Sequence, residues 1–233
     1  MNDWFEFGGV RCTNYGIHVT AQPSIIRASE RVTYTNVPGR PGSLTTFEAD
    51  DVYDDFILPV ECTVADMSHL PEICAWLKGA GTLKLAARPG GFYHAHIANQ
   101  IEFAKILRNH ENRAFTVNFR CQPFWYVENV EPITLTVSGS FITNPGSVYA
   151  EPVITVYGSG LITLMVGMTI CELEGITSSI TLNAPLQEAY SGVASMNGNM
   201  TGDFPMLLPG QNAISWSGNV TRLEIQPNWR YLA

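Results

Sequence analysis

From Ala114 to Phe124 the chain alternates without a break. Phe115, Val117, Phe119 and Cys121 fall on one side, Thr116, Asn118, Arg120 and Gln122 on the other. A period of two marks a strand with one face in a core and the other in water, and it excludes a helix over the same residues. The pattern recurs in Arg31–Val37, Phe92–Ala98 and Ile101–Leu107, with more apolar versions in Phe56–Val64 and Thr82–Ala86. Aromatic and β-branched residues of the kind that fill these runs suit a pleated surface. One stretch breaks the rule. Ser68–Lys78 sets Leu70, Ile73, Cys74 and Leu77 at helical spacing, with Ser68 as cap, Pro71 in the first turn and Gly79 as a left-handed stop.

Beyond Pro123-Phe124-Trp125-Tyr126 the strand candidates are Ile133–Val137, Pro152–Tyr157, Leu161–Val166, Ile176–Leu182, Asn212–Ser217 and Val220–Gln226. Turn-forming clusters separate them: Asn144-Pro145-Gly146, Gly158-Ser159-Gly160, Asn197-Gly198-Asn199 and Pro209-Gly210. Short strands at regular spacing predict an antiparallel sandwich. The chemistry also changes near residue 132. Residues 1–132 hold 11 of the 13 Lys+Arg and 15 of the 21 Asp+Glu. Residues 133–233 hold only Arg222, Arg230 and six acids. Each part nets the same charge at very different charge density, which predicts two modules, 1–132 and 133–233. The 233 residues suffice for two cores of ordinary size.

A net charge of −8 argues against nucleic-acid binding, which needs a dense basic face. The start, Met1-Asn2-Asp3-Trp4-Phe5-Glu6, is acidic where a secretory signal is basic and then apolar. The apolar stretch Leu161–Ile170 falls far short of the ~20 residues that span a bilayer. The expectation is therefore a soluble chain made in the cytoplasm, with no membrane contact. Five widely spaced cysteines form neither a C-x-x-C pair nor a Cys/His cluster, and they read as buried, reduced thiols.

Residues 38–55 stand apart. Two Gly, two Pro and five acids make a turn followed by a charged, projecting segment that cannot be core. Such a projection has an evident use only in an assembly.

Residues that could carry chemistry are few. His94 and His96 share a strand face, yet no third metal ligand lies in the same stretch. Asp50, Asp51, Asp54 and Asp55 lack the ladder and the distal Glu of a calcium loop, and read as a solvated, repelling turn. Ser191-Gly192 and Ser217-Gly218 lack the Gly-x-Ser-x-Gly elbow, and no helix follows Gly158-Ser159-Gly160 to make a phosphate cradle. Nothing marks two acids of the second module as a glycosidase pair. Trp216 shares a face with Ile214 and reads as core, whereas Trp229, beside Arg230 near the chain end, is open to core or to ligand stacking.

Taken in order, several segments resemble the distal tail protein family of long-tailed phages. In the first module they are Tyr15-Gly16-Ile17-His18-Val19, Val37–Leu44, Trp76–Leu83, Phe92–Ile97 and Phe119–Tyr126. In the second they are Asn144-Pro145-Gly146 with Ala150–Ile154, Gly158-Ser159-Gly160, Gly202–Pro205, Leu208–Asn212 and Ile225–Arg230. One departure is Pro41, where the family turn carries Asn.

The resemblance implies an N-terminal β-sandwich bearing one α-helix and closing into a homohexameric ring. It also implies a C-terminal galectin-like antiparallel β-sandwich outside that ring. The ring joins the tail tube to the tail tip or baseplate at the distal end of the virion tail. The implied partners are the chain itself, the tube protein, the tail-tip or baseplate hub protein and the tape-measure protein, and the implied role is structural, without catalysis or cofactor. Candidate interface residues on the projecting segment are Arg40, Ser43, Leu44, Phe47, Asp50, Asp51 and Asp54. The rival readings are a carbohydrate-binding module, with Trp229 as its stacking residue, and a tail-associated glycosidase. Host-binding members carry an inserted domain, for which residues 133–233 leave no room, so host recognition is not expected here.

Overall fold

The computed structural model describes residues 3–47, 52–105 and 112–233. The chain clusters into two compact units, one running to Tyr126 and including Leu232–Ala233, the other Val127–Tyr231. The first contains β1 (Phe5–Phe7), β2 (Val10–Arg11), β3 (Ile17–Val19), β4 (Val32–Asn36), β5 (Ser43–Phe47), β6 (Phe56–Val64), α1 (Leu70–Trp76), β7 (Ala80–Leu85), β8 (Arg88–Ile97), β9 (Ala104–Lys105) and β10 (Arg113–Val127).

The main sheet of this unit runs β2-β1-β7-β8-β10-β6-β3, with β9 added against β10. Along β10 and β6 the antiparallel register runs from Arg113↔Val64 to Cys121↔Phe56. It sets Phe115, Val117, Phe119 and Cys121 opposite Cys62, Val60, Leu58 and Phe56, and all eight are buried. These four are the inward residues that the alternation predicts. The centre of the core is aromatic, with the Phe119 ring 5.5 Å from Phe5 and 5.3 Å from Phe7.

The helix docks on this cluster. Ile73 and Leu77 are buried, the Trp76 ring stacks on Phe5 at 5.6 Å, and its Nε1–H donates to the Phe7 carbonyl at 2.8 Å. Two details differ from the sequence expectation. Ser68 is not the cap, because its own N–H is held by Asp66 Oδ1 at 2.8 Å and the helix starts at Leu70. Cys74 is exposed, because the short helix meets the core through Ile73, Trp76 and Leu77, which leave Cys74 on the outer side. The other four thiols are buried and all five are free. Burial pushes Cys62, Cys121 and Cys171 up to about 12.

The second unit contains β11 (Ile133–Leu135), β12 (Ser140–Asn144), β13 (Val153–Val166), β14 (Thr169–Ile176), β15 (Ser179–Asn183), β16 (Glu188–Ser191), β17 (Ala194–Ser195), β18 (Met200–Gly202) and β19 (Gly210–Gln226). Its sheet runs β11-β19-β13-β15-β16-β17, with β12 on β19, β14 on β13 and β18 on β14. The last strand, β20, spans Arg230–Leu232. Ile154, Val156, Ile162, Leu164, Leu173, Ile180, Leu182, Leu223 and Ile225 line its core.

Here the expected strand boundaries need correction. Gly158-Ser159-Gly160 is not a turn between strands; it is an irregularity inside the single strand β13. Ser217-Gly218-Asn219 likewise lies inside β19. The two irregularities face each other, Gly158 against Val220 and Ser159 against Asn219, and Asn219 Nδ2 donates to Ser159 Oγ at 2.7 Å. A Cβ on Gly158 would sit 2.3 Å from the Asn219 carbonyl oxygen, so only glycine fits this approach. Paired bulges bend both strands without ending them. Glycine and serine thus shape a bend here, although the same residues in sequence resemble a stop. Among the described residues, no helix is long and apolar enough to cross a membrane.

Candidate functional site

The projecting segment is a β-hairpin. β4 and β5 form a two-stranded sheet of their own, in register from Val32↔Phe47 to Asn36↔Ser43. The Arg40 N–H donates to the Val37 carbonyl at 3.1 Å, closing a turn with Pro38 and Gly39 at its centre. Gly39 has φ +79, the left-handed position that such a turn requires of its third residue. Alternation alone reveals only β4, because Ser43–Phe47 lies between a Pro/Gly turn and an acidic run that together read as loop.

At the hairpin's base, the Arg31 N–H donates to the Val52 carbonyl and the Asp54 N–H to the Ser29 carbonyl, both at 2.9 Å. Arg31 Nε also meets Asp54 Oδ1 at 2.8 Å. Asp54 therefore anchors the hairpin's base rather than its surface. Arg40, Ser43, Leu44 and Phe47 are all exposed along the hairpin, while Asp50 and Asp51 lie outside the described residues.

The register places Val32, Tyr34, Thr45 and Phe47 on one face of the ribbon, with Tyr34 68% and Phe47 59% exposed. A two-stranded ribbon wet on both faces is marginal by itself.

Other candidates from the sequence resolve into structure. His94 faces Thr82 across the strand pair, with the Tyr126 ring 4.8 Å away and the Phe92 ring 5.4 Å away. Desolvation by these neighbours lowers its pKa from the ordinary histidine value. Among the described residues, no group of three or more His, Cys, Asp or Glu is placed to hold a metal ion. Asp55 pairs with Arg120 at 3.1 Å and Asp54 with Arg31, so half of the acidic run consists of ion-pair partners rather than mutually repelling charges. A groove of about 480 Å³ between β6 and the 99–104 segment is lined by Glu61, Glu102 and Asn99. The Asn99 amide is committed to the backbone there, donating to Thr116 O and accepting from the Asn118 N–H.

Trp229, which the sequence leaves open between core and ligand stacking, is core. It is 7% exposed and belongs to the core of the second unit, so it offers no face for stacking a ligand. Its neighbours explain why. Arg230 is 3% exposed, with Nη1 on Glu151 at 2.9 Å, Nε on the Tyr149 carbonyl at 2.7 Å and its guanidinium 4.4 Å from the centre of the Tyr149 ring. Asn228 Nδ2 donates to the Glu151 carbonyl. The Asn228-Trp229-Arg230 and Tyr149-Glu151 segments thus lock each other in place, and the tryptophan is drawn inward. Trp216 is half-buried against the same core.

On the outer face of this unit, Tyr157 OH donates to Glu224 Oε2 at 2.9 Å and Arg222 Nε to Oε1 at 2.8 Å, with the guanidinium 3.6 Å over the Tyr157 ring. The Arg222 hydrogen bond first, and the Tyr157 hydroxyl second, hold the Glu224 carboxyl below the usual range. A carboxylate kept ionised with both oxygens engaged is unsuited to donate a proton as a glycosidase acid does.

No protein-family model and no curated protein matches the sequence. Solved structures do match. The chain is similar to the SPP1 Dit (gp 19.1) protein, a hub adsorption apparatus paradigm among phages that infect Gram-positive bacteria. That likeness has a TM-score of 0.76 at 14% identity and covers 96% of this chain and 98% of that one. A chain of the phage P2 baseplate in its activated conformation with calcium matches with a TM-score of 0.57 at 10% identity, covering 100% of this chain and 99% of that one. At such identities the likeness establishes a shared fold.

Proposed function

We propose that this chain is a structural subunit of a phage tail hub. Its first unit closes six copies into a ring, and the ring joins the tail tube to the tail tip or baseplate at the distal end of the virion tail. The observation that carries the reading is the end-to-end likeness to a hub protein, which leaves no substantial part of either chain unmatched. The exposed hairpin supports it independently, since a head-to-tail ring needs a projecting element on each subunit that its neighbour covers. Tube protein, tail-tip or baseplate hub protein and tape-measure protein are the expected neighbours, and the work is architectural. The carbohydrate-binding alternative loses its stacking residue with Trp229 buried.

Light scattering and negative-stain microscopy test the proposal. The purified chain should form rings of about 154 kDa, six times 25.6 kDa. A chain that stays monomeric at high concentration, alone and when co-expressed with the tube and tail-tip proteins, would sink it.

A further inference from the structure

The second unit carries an apolar strip that its own fold leaves uncovered. On the outer face of its sheet, Phe141 on β12 lies opposite Ala213 on β19; Ser215, two residues on, lies opposite Met165 on β13, and Met165 lies opposite Ile170 on β14. The intervening residues Ile142, Ile214, Val166 and Cys171 all point into the core, so the strip crosses four strands with Ser215 as its one polar member. Phe141 is 61% exposed, Met165 40% and Ile170 50%, and Met168 in the β13–β14 turn is 92% exposed.

Acids border the Ile170 end of this strip. Glu172 and Glu174 follow Ile170 on the same outward face of β14, and Asp203 comes directly after β18, whose Gly202 pairs with Cys171. The unit has no lysine and two arginines, and both are engaged, Arg222 with Glu224 and Arg230 with Glu151. No cation of this unit remains to neutralise these acids.

We infer that this strip is a docking surface for a short segment of another polypeptide, apolar over most of its length and carrying lysine or arginine at one end. Charge complementarity selects that occupant. The size argues for a segment rather than a globular face, since such a patch covers about a few hundred Å², well under the ~800 Å² per partner of a standard interface. Methionines suit such a site because they repack around different apolar side chains. The inference rests on the surface of this unit alone and stands whether or not the first unit forms a ring.

The test is selection of short random linear peptides, displayed as a library, on the immobilised full chain in low-salt buffer. Enriched peptides should combine aliphatic or aromatic residues with Lys or Arg. A synthesised winner should bind about tenfold more weakly to Met165→Ser/Ile170→Ser and to Glu172→Gln/Asp203→Asn, and more weakly as salt rises. Hydrogen exchange on the unaltered chain, which needs no variant to fold, should show protection by the peptide at Ser140–Ile142, Met165–Ile170 and Ala213–Ser215. Enriched peptides without basic residues, or protection confined to another face, overturn the inference. So does self-association of the chain that Met165→Ser/Ile170→Ser abolishes, which would assign the strip to a second copy.

Discussion

Replacing Phe47 by threonine separates a hairpin that works between subunits from one that is only surface decoration. Threonine, being β-branched, favours the extended strand as phenylalanine does, so the Val32↔Phe47 register has no reason to shift. Phe47 is already 59% exposed. A phenylalanine side chain buries about 150–250 Å², so roughly 90–150 Å² is left for a neighbour to cover. At ~25 cal/mol per Å² the lost contact is worth about 2–4 kcal/mol per interface, roughly a thirty- to several-hundred-fold weaker association. In the isolated chain the same group is mostly in water, and the change should stay within about 0.5 kcal/mol. Light scattering across a concentration series reads the association, and urea unfolding reads the stability of the chain. The expected result for Phe47→Thr, and more strongly for Phe47→Thr/Tyr34→Thr, is ring loss, with the urea midpoint unchanged at concentrations low enough for both chains to be monomeric. A ring that survives the double substitution refutes the reasoning. A fall of more than about 1 kcal/mol in monomer stability refutes it too, by showing that the hairpin packs at home.

Trp229→Ala should lower the stability of the second unit by about 3–5 kcal/mol in urea unfolding, the range for a large aromatic removed from a core. Under native conditions a thiol reagent should modify one fast cysteine, and Cys74→Ser should remove that phase, because the other four thiols are buried and burial raises their pKa values. The Glu224 carboxyl is depressed by Arg222 and then Tyr157, so its contribution is present above the ordinary carboxyl value of ~4.3 and is lost as pH falls through its lower folded value. The pair is exposed, so acid-side unfolding curves should show a shallow loss in the unaltered chain that Glu224→Gln lacks.

Face assignment was the most legible property of this chain. Phe115, Val117, Phe119 and Cys121 point inward as their spacing requires, because side chains on a strand can only alternate. Fold class followed from many such runs and a single helical one. The candidate hairpin was half legible: β4 alternates, and the turn is written in Val37-Pro38-Gly39-Arg40, but β5 becomes a strand through its pairing with β4.

What sequence alone determined, then, was local: which strand residues face a core, that Val37-Pro38-Gly39-Arg40 must turn, and that charge is concentrated in the first 132 residues. Tertiary structure decided everything that depends on a distant partner. Gly158-Ser159-Gly160 is a bend within β13 because Asn219 and Val220 lie across from it, not because of its own composition. Trp229 is buried because Glu151 and Tyr149 hold its neighbours, while Cys74 is exposed because its helix rests on Ile73, Trp76 and Leu77. The strip from Phe141 to Ile170 is assembled from four strands, each contributing one or two residues. No window of sequence contains it, since pairing between strands far apart in the chain is set by the whole core and not by any segment's own pattern.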